Sequence, residues 1–116
     1  VVVGRIDVPF DSIQSLKNAL SHVGKPYDYY YLPDDKEIYC SELVQISYVT
    51  DDGKLIFSTI PMTFRNREGE IPEFWVKHYA KKGIAIPEGE PGTNPGELSR
   101  RKEIKIIGRL VAPKQR

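Results

Sequence analysis

The chain has 116 residues, with 17 basic against 16 acidic side chains and a net charge of +1, enough for one modest core and too short for two full domains. A single Cys and two widely separated His exclude an intrachain disulfide framework and every multi-Cys zinc site, so no metal is expected. Lys and Arg are spread along the chain, with Lys81-Lys82 and Arg100-Arg101-Lys102 the only clusters, so no basic face for nucleic acid is expected.

Residues 1–8 are predicted as a strand, because Val1-Val2-Val3-Gly4-Arg5-Ile6 opens on a β-branched run. A strand already under way at the first residue leads to the expectation of a piece of a longer chain. Asp11 is placed as a helix N-cap, with Gln14 completing a capping box. Ile13, Leu16, Ala19, Leu20 and Val23 share one face of that helix, Gly24 stops it, and His22 lies on its solvent-facing flank. Residues 25–39 are irregular and aromatic, holding Tyr27, Tyr29, Tyr30, Tyr31, a turn at Asp34-Asp35, and Tyr39.

Cys40 to Tyr48 is predicted as a second helix. Cys40, Leu43, Val44 and Ser47 share its inner face, which points the thiol inward from the first turn. Asp51-Asp52-Gly53 is a turn, and residues 54–60 form a short strand or extended segment. A third helix begins near Ile71-Pro72-Glu73, carries Phe74, Trp75, His78 and Tyr79, and ends at Gly83. Residues 84–87 are a candidate strand, residues 88–99 a Gly- and Pro-rich loop with solvated Glu88 and Glu90, and residues 104–111 the last strand. The class is α+β, in one domain over residues 1–116. No apolar run reaches the length of a membrane span.

Cys40 is the candidate that carries chemistry. A thiol at a helix N-terminus sits where unpaired N–H groups and the positive end of the helix dipole favour the thiolate. The same N–H groups can polarise an attacked carbonyl. The alternative is a small buried residue that packs a helix start.

Gly24-Lys25-Pro26-Tyr27-Asp28, followed by Cys40-Ser41-Glu42-Leu43-Val44 and by the tail Pro91-Gly92-Thr93-Asn94-Pro95-Gly96-Glu97-Leu98-Ser99, resembles the permuted papain-like amidases of the NlpC/P60 superfamily, in particular the YiiX/YebB-like group. The resemblance runs from about Gly24 to Leu110. It implies a circularly permuted papain-like fold with a small antiparallel sheet and packed helices, lacking its N-terminal strands. It also implies a cysteine hydrolase that cleaves an amide, peptide or related acyl bond, possibly cell-wall-related, through an acyl-enzyme. Cys40 matches the nucleophile, and Tyr27 the tyrosine beside it. The backbone N–H groups of Cys40 and Ser41 would polarise the carbonyl. No cofactor is implied, and the partner is a small-molecule, peptide or acyl substrate. A periplasmic or secreted parent is the location that the resemblance suggests, while oligomeric state is left open.

Such a thiol needs an imidazole base. In the permuted group that His precedes the Cys, in a His-Val-Gly strand. Ser21-His22-Val23-Gly24 matches the letters but ends a capped helix, and His78 shares an apolar helix face with Ile71, Phe74 and Trp75, so both are expected to be structural. The base is expected upstream of Val1. Two further readings stay open: a binding module whose groove is lined by Tyr29, Tyr30, Tyr31, Tyr39 and Trp75, with Cys40 as packing, and an acyl or lipid transferase.

Overall fold

The computed structural model describes residues 1–34 and 36–113. Its elements run β1 (Val2–Ile6), α1 (Ser12–Leu20), α2 (Cys40–Ser47), β2 (Ile60–Pro61), α3 (Glu73–Lys82), β3 (Pro91–Gly92), α4 (Pro95–Ser99) and β4 (Ile104–Arg109). Asp34 lies in a bend as expected, and its turn partner Asp35 lies outside the described residues. Helices alternating with small antiparallel pairs make the class α+β. The opening β-branched strand finds its partner at the far end of the chain: β1 pairs antiparallel with β4, from Ile6 opposite Ile104 to Val2 opposite Arg109. Among the described residues no helix is long and apolar enough to cross a membrane.

The Asp11 carboxylate accepts the Gln14 N–H at 2.9 Å, so α1 starts at the expected N-cap. The capping box is not completed: Gln14 Nε2 donates to Asn18 Oδ1, and the Asp11 N–H donates to the Val49 carbonyl. The apolar stripe of α1, however, faces outward, with Ile13 69% and Val23 77% exposed. The contact between α1 and α2 is instead small and polar. Ser15 Oγ accepts the Val49 N–H at 3.2 Å, and Asn18 donates to the Ser47 carbonyl at 3.0 Å. These bonds demand that Ser15 and Asn18 face the chain at 47–49, and helical geometry then turns the stripe away. His22 is half-buried rather than solvent-facing, because tight turns follow α1 and Lys25 N–H closes onto the His22 carbonyl.

Residues 54–60 do not form a strand. Leu55 makes one bridge to Val49, Phe57 is wholly buried with its carbonyl accepting Gln45 Nε2 at 2.9 Å, and only Ile60–Pro61 is extended and paired. The main core is Met62, Phe64 and Tyr79, covered by Tyr30, Tyr31, Trp75, Ile71, Ile84 and Ile86. Helix α3 begins after Pro72 and ends at Gly83, whose φ of 71° is the left-handed stop that glycine adopts without a steric penalty. Residues 84–87 supply Ile84 and Ile86 to the core but pair with no strand.

The expected loop at 88–99 is ordered. It contains β3, which pairs with β2 through Gly92 opposite Ile60, and α4, capped by Asn94. Glu90 is exposed as expected, and Glu88 is partly exposed but not free. Its carboxylate accepts the Phe64 N–H at 2.7 Å and the Thr63 hydroxyl at 2.8 Å, and those bonds hold it below the usual carboxylate range. Met62 and Phe64 are thereby fixed against the 88–90 turn, which also receives the Met62 N–H on the Glu90 carbonyl.

Burial pushes the Tyr31, Tyr39 and Tyr79 hydroxyls above the 10.0 of a free phenol, with the negative charge of Asp28 adding to all three. A raised value means that the folded chain holds the proton more tightly than the unfolded chain does. The stabilisation is therefore complete below pH 10.0 and is lost as the pH rises through the folded-state values. Tyrosinate absorbance and circular dichroism followed together should show buried tyrosines ionising only as the fold is lost. Ionisation of every tyrosine near pH 10.0 with the fold intact would contradict this.

Candidate active site

Cys40 is the first residue of α2, and Tyr39 ahead of it is extended (φ −108°, ψ 163°). The N-cap residue Tyr39 supplies no side-chain cap, and the Ser41 N–H has no partner among the described residues. The thiol is exposed, contrary to the inward orientation that the apolar periodicity implied. The buried side chains of α2 are instead polar: Ser41 and Gln45 on one face, and Ser47 at the end of the helix. Ser41 Oγ accepts a buried hydroxyl from Thr93, and Gln45 binds the Phe57 carbonyl. Those bonds turn residues 41 and 45 toward the interior and leave residue 40 facing out.

Tyr27 is brought to this thiol by backbone pairing. Residue 27 bridges residue 38, the Asp28 N–H donates to the Ile38 carbonyl, and the Ile38 N–H donates to the Pro26 carbonyl, each bond 3.0 Å. Since Ile38 lies just ahead of the helix, pairing with it sets Tyr27 against the helix start. The Tyr27 hydroxyl lies beside both the Cys40 thiol and the Cys40 backbone N–H. Its pKa is raised, first by burial, then by the thiol and Tyr31. It therefore stays protonated, able to donate to the sulfur.

A cleft of about 360 Å³ opens from this pair, walled by Tyr27, Tyr31, Tyr39, Met62, Phe64 and Trp75. Among the described residues no carboxylate, ammonium, guanidinium or imidazole lines it. Tyr31 holds a left-handed backbone (φ 52°), a strain of about 1 kcal/mol or more for an aromatic residue. Ring contacts with Tyr39 (5.0 Å) and Trp75 (6.1 Å) keep it in the wall. Cys40 and Ser41 also line a larger apolar groove of about 980 Å³ between α2 and the β1–β4 sheet.

The model of the permuted papain-like amidase family, YaeF/YiiX, C92 family, matches residues 3–108. The chain belongs to this family. The C92 domain thus has the permuted papain-like fold expected of it, in an enzyme family of amidases. No curated protein and no solved structure matches the chain.

Neither histidine of this C92 domain lines either cleft at Cys40. His78 Nε2 lies 2.7 Å from the Tyr29 carbonyl, and its ring is stacked on Tyr30 (4.7 Å) and Phe74 (5.8 Å). Both ring faces and one nitrogen are committed to packing. His22 sits beyond α1 with its Nδ1 shielded and without a partner among the described residues. Of the tyrosines expected to form a groove, Tyr31 and Tyr39 line the 360 Å³ cleft with Trp75, while Tyr29 and Tyr30 do not. No cluster of three or more His, Cys, Asp or Glu side chains able to hold a metal ion occurs among the described residues.

Sequence reasoning named Thr93 and Asn94 only within the family-like tail and gave them no role, yet both line the cleft. A signal existed: Asn94 followed by Pro95 and, three residues on, by Glu97 is a helix-start pattern, and Asn94 Oδ1 does accept the Glu97 N–H at 2.7 Å.

Proposed function

We propose that Cys40 is the nucleophile of a cysteine amidase site that transfers an acyl group through a thioester, as in papain-like and NlpC/P60 enzymes. The observation that carries this reading is the Tyr27 hydroxyl lying against an exposed thiol at a helix start whose Ser41 N–H has no partner among the described residues. The thiolate attacks the substrate carbonyl carbon and a C–S bond forms. The Ser41 N–H and the Tyr27 hydroxyl face the oxygen on which negative charge develops. Collapse of the intermediate breaks the bond to the leaving amine or alkoxide, which departs with a proton. Water then releases the acid and restores the thiol.

The uncharged aromatic cleft supports a substrate whose acyl side is apolar, and so supports acyl esters beside amides. The binding-module reading has less support, since Tyr29 and Tyr30 do not line the cleft and Cys40 does not serve as packing. Neither histidine reaches the thiol. The chain by itself is therefore expected to accept one acyl group from an activated ester, which needs no base to expel its leaving group, and to cleave amides slowly or not at all.

The test is a burst of p-nitrophenolate from a p-nitrophenyl ester, one per chain, in the wild type and in Tyr27→Phe. Losing one donor to the oxyanion is expected to slow the burst about 10²-fold. An unchanged burst in Tyr27→Phe removes Tyr27 from the mechanism, and no burst in the wild type removes the proposal.

A further inference from the structure

A helix start that serves as an oxyanion site faces a conflict. The usual capping side chain would secure the first turn, but it would consume the N–H groups that the reaction needs. The N-cap residue of α2, Tyr39, supplies no such cap, and the Ser41 N–H is left without a partner among the described residues.

Two buried hydrogen bonds that flank Cys40 come from one residue. The Thr93 N–H donates to the Tyr39 hydroxyl at 3.2 Å, and Thr93 Oγ1 donates to Ser41 Oγ at 3.0 Å. Thr93 thus grips the residues on either side of Cys40. All three partners are buried, with Tyr39 and Ser41 each 4% exposed and Thr93 6%. Burial makes these bonds costly to break, because no water replaces them. Thr93 is itself delivered by the β2–β3 pair. A side chain at the adjacent Gly92 would collide with the Met62 side chain and meet the Tyr39 hydroxyl at 3.1 Å, so only glycine lets the strand approach this closely.

We propose that Thr93 is the positioning residue of the Cys40 site, a clamp that does the work of an N-cap and leaves the Ser41 N–H free for the substrate. The proposal rests on Cys40 being the acyl acceptor. Thr93 acts through Tyr39 and Ser41, and its own hydroxyl is committed to Ser41.

Two reactions of the same thiol separate positioning from general structural loss. Acylation by p-nitrophenyl acetate builds an oxyanion on the carbonyl as the C–S bond forms, and expels p-nitrophenolate. Alkylation by iodoacetamide expels iodide and builds none. In Thr93→Val the shape stays and the Oγ1 bond is lost, so acylation should fall about tenfold or more while alkylation stays within about twofold. Thr93→Ser, which keeps the hydroxyl, should recover most of the acylation rate. Ser41→Ala, which removes the acceptor, should repeat the selective loss even if Thr93→Val does not fold.

Wild-type acylation in Thr93→Val or Ser41→Ala overturns the clamp, as does a loss that falls equally on both reactions. Absence of acylation in the wild type overturns the clamp together with the proposed function. Acylation of the wild type that does not depend on Thr93 overturns the clamp alone.

Discussion

Cys40→Ala is expected to abolish acyl transfer by the chain while leaving its stability almost untouched. With the nucleophile gone, release of p-nitrophenolate should fall more than about 10³-fold, to the rate of the ester in buffer. The thiol is exposed and fills no interior space, so its removal creates no cavity. The unfolding free energy should then change by less than about 0.5 kcal/mol. The pairing of these two outcomes is informative, because a cysteine that merely packs a helix start would show the reverse: a stability loss of about 1 kcal/mol or more and no effect on chemistry. Stopped-flow release and urea denaturation of the same preparation decide between them.

The second large effect is on the fold. Tyr79→Ala is expected to cost about 3–5 kcal/mol, as other deletions of buried aromatic rings do, out of a total stability of about 5–15 kcal/mol. Tyr79 is 1% exposed, and its ring meets Phe64 and Tyr30 each at 5.6 Å. Its hydroxyl donates to the Tyr30 carbonyl at 2.8 Å. Removing it leaves a void under Tyr30 and Phe64 and releases the turn that feeds Tyr31 into the cleft. Tyr79→Phe keeps the ring and loses only that bond, for about 1 kcal/mol. Urea midpoints should therefore fall steeply for Ala and slightly for Phe. Equal losses in the two variants would mean that the hydroxyl, and not the ring, carries the core.

Local rules served well where the structure is local. The Asp11 cap, the helix opening at Cys40 and the glycine stop at Gly83 each depend on a few neighbouring residues, and each stands within a residue or two of its predicted place. The C92 motif likewise pointed to Tyr27 and Cys40, which the fold brings side by side. Long-range hydrogen bonding defeated periodicity elsewhere. Nothing in the order of Ile13, Leu16, Leu20 and Val23 reveals that Ser15 and Asn18 bind the chain at 47–49 and so turn the stripe outward. The orientation of the thiol failed for the same reason, since Ser41 is drawn inward by Thr93, 52 residues away. The 88–99 segment is ordered by what it touches: Gly92 beside Met62, Glu88 on Phe64, Thr93 on Ser41.

The most direct test of the site is the chemical identity of the acylated atom. After reaction with a p-nitrophenyl ester, mass spectrometry of the digested chain should find one acyl group, on the peptide that contains Cys40, and neutral hydroxylamine should remove it as it removes a thioester. An acyl group found instead on a tyrosine or lysine, or one that resists hydroxylamine, would contradict Cys40 as the nucleophile.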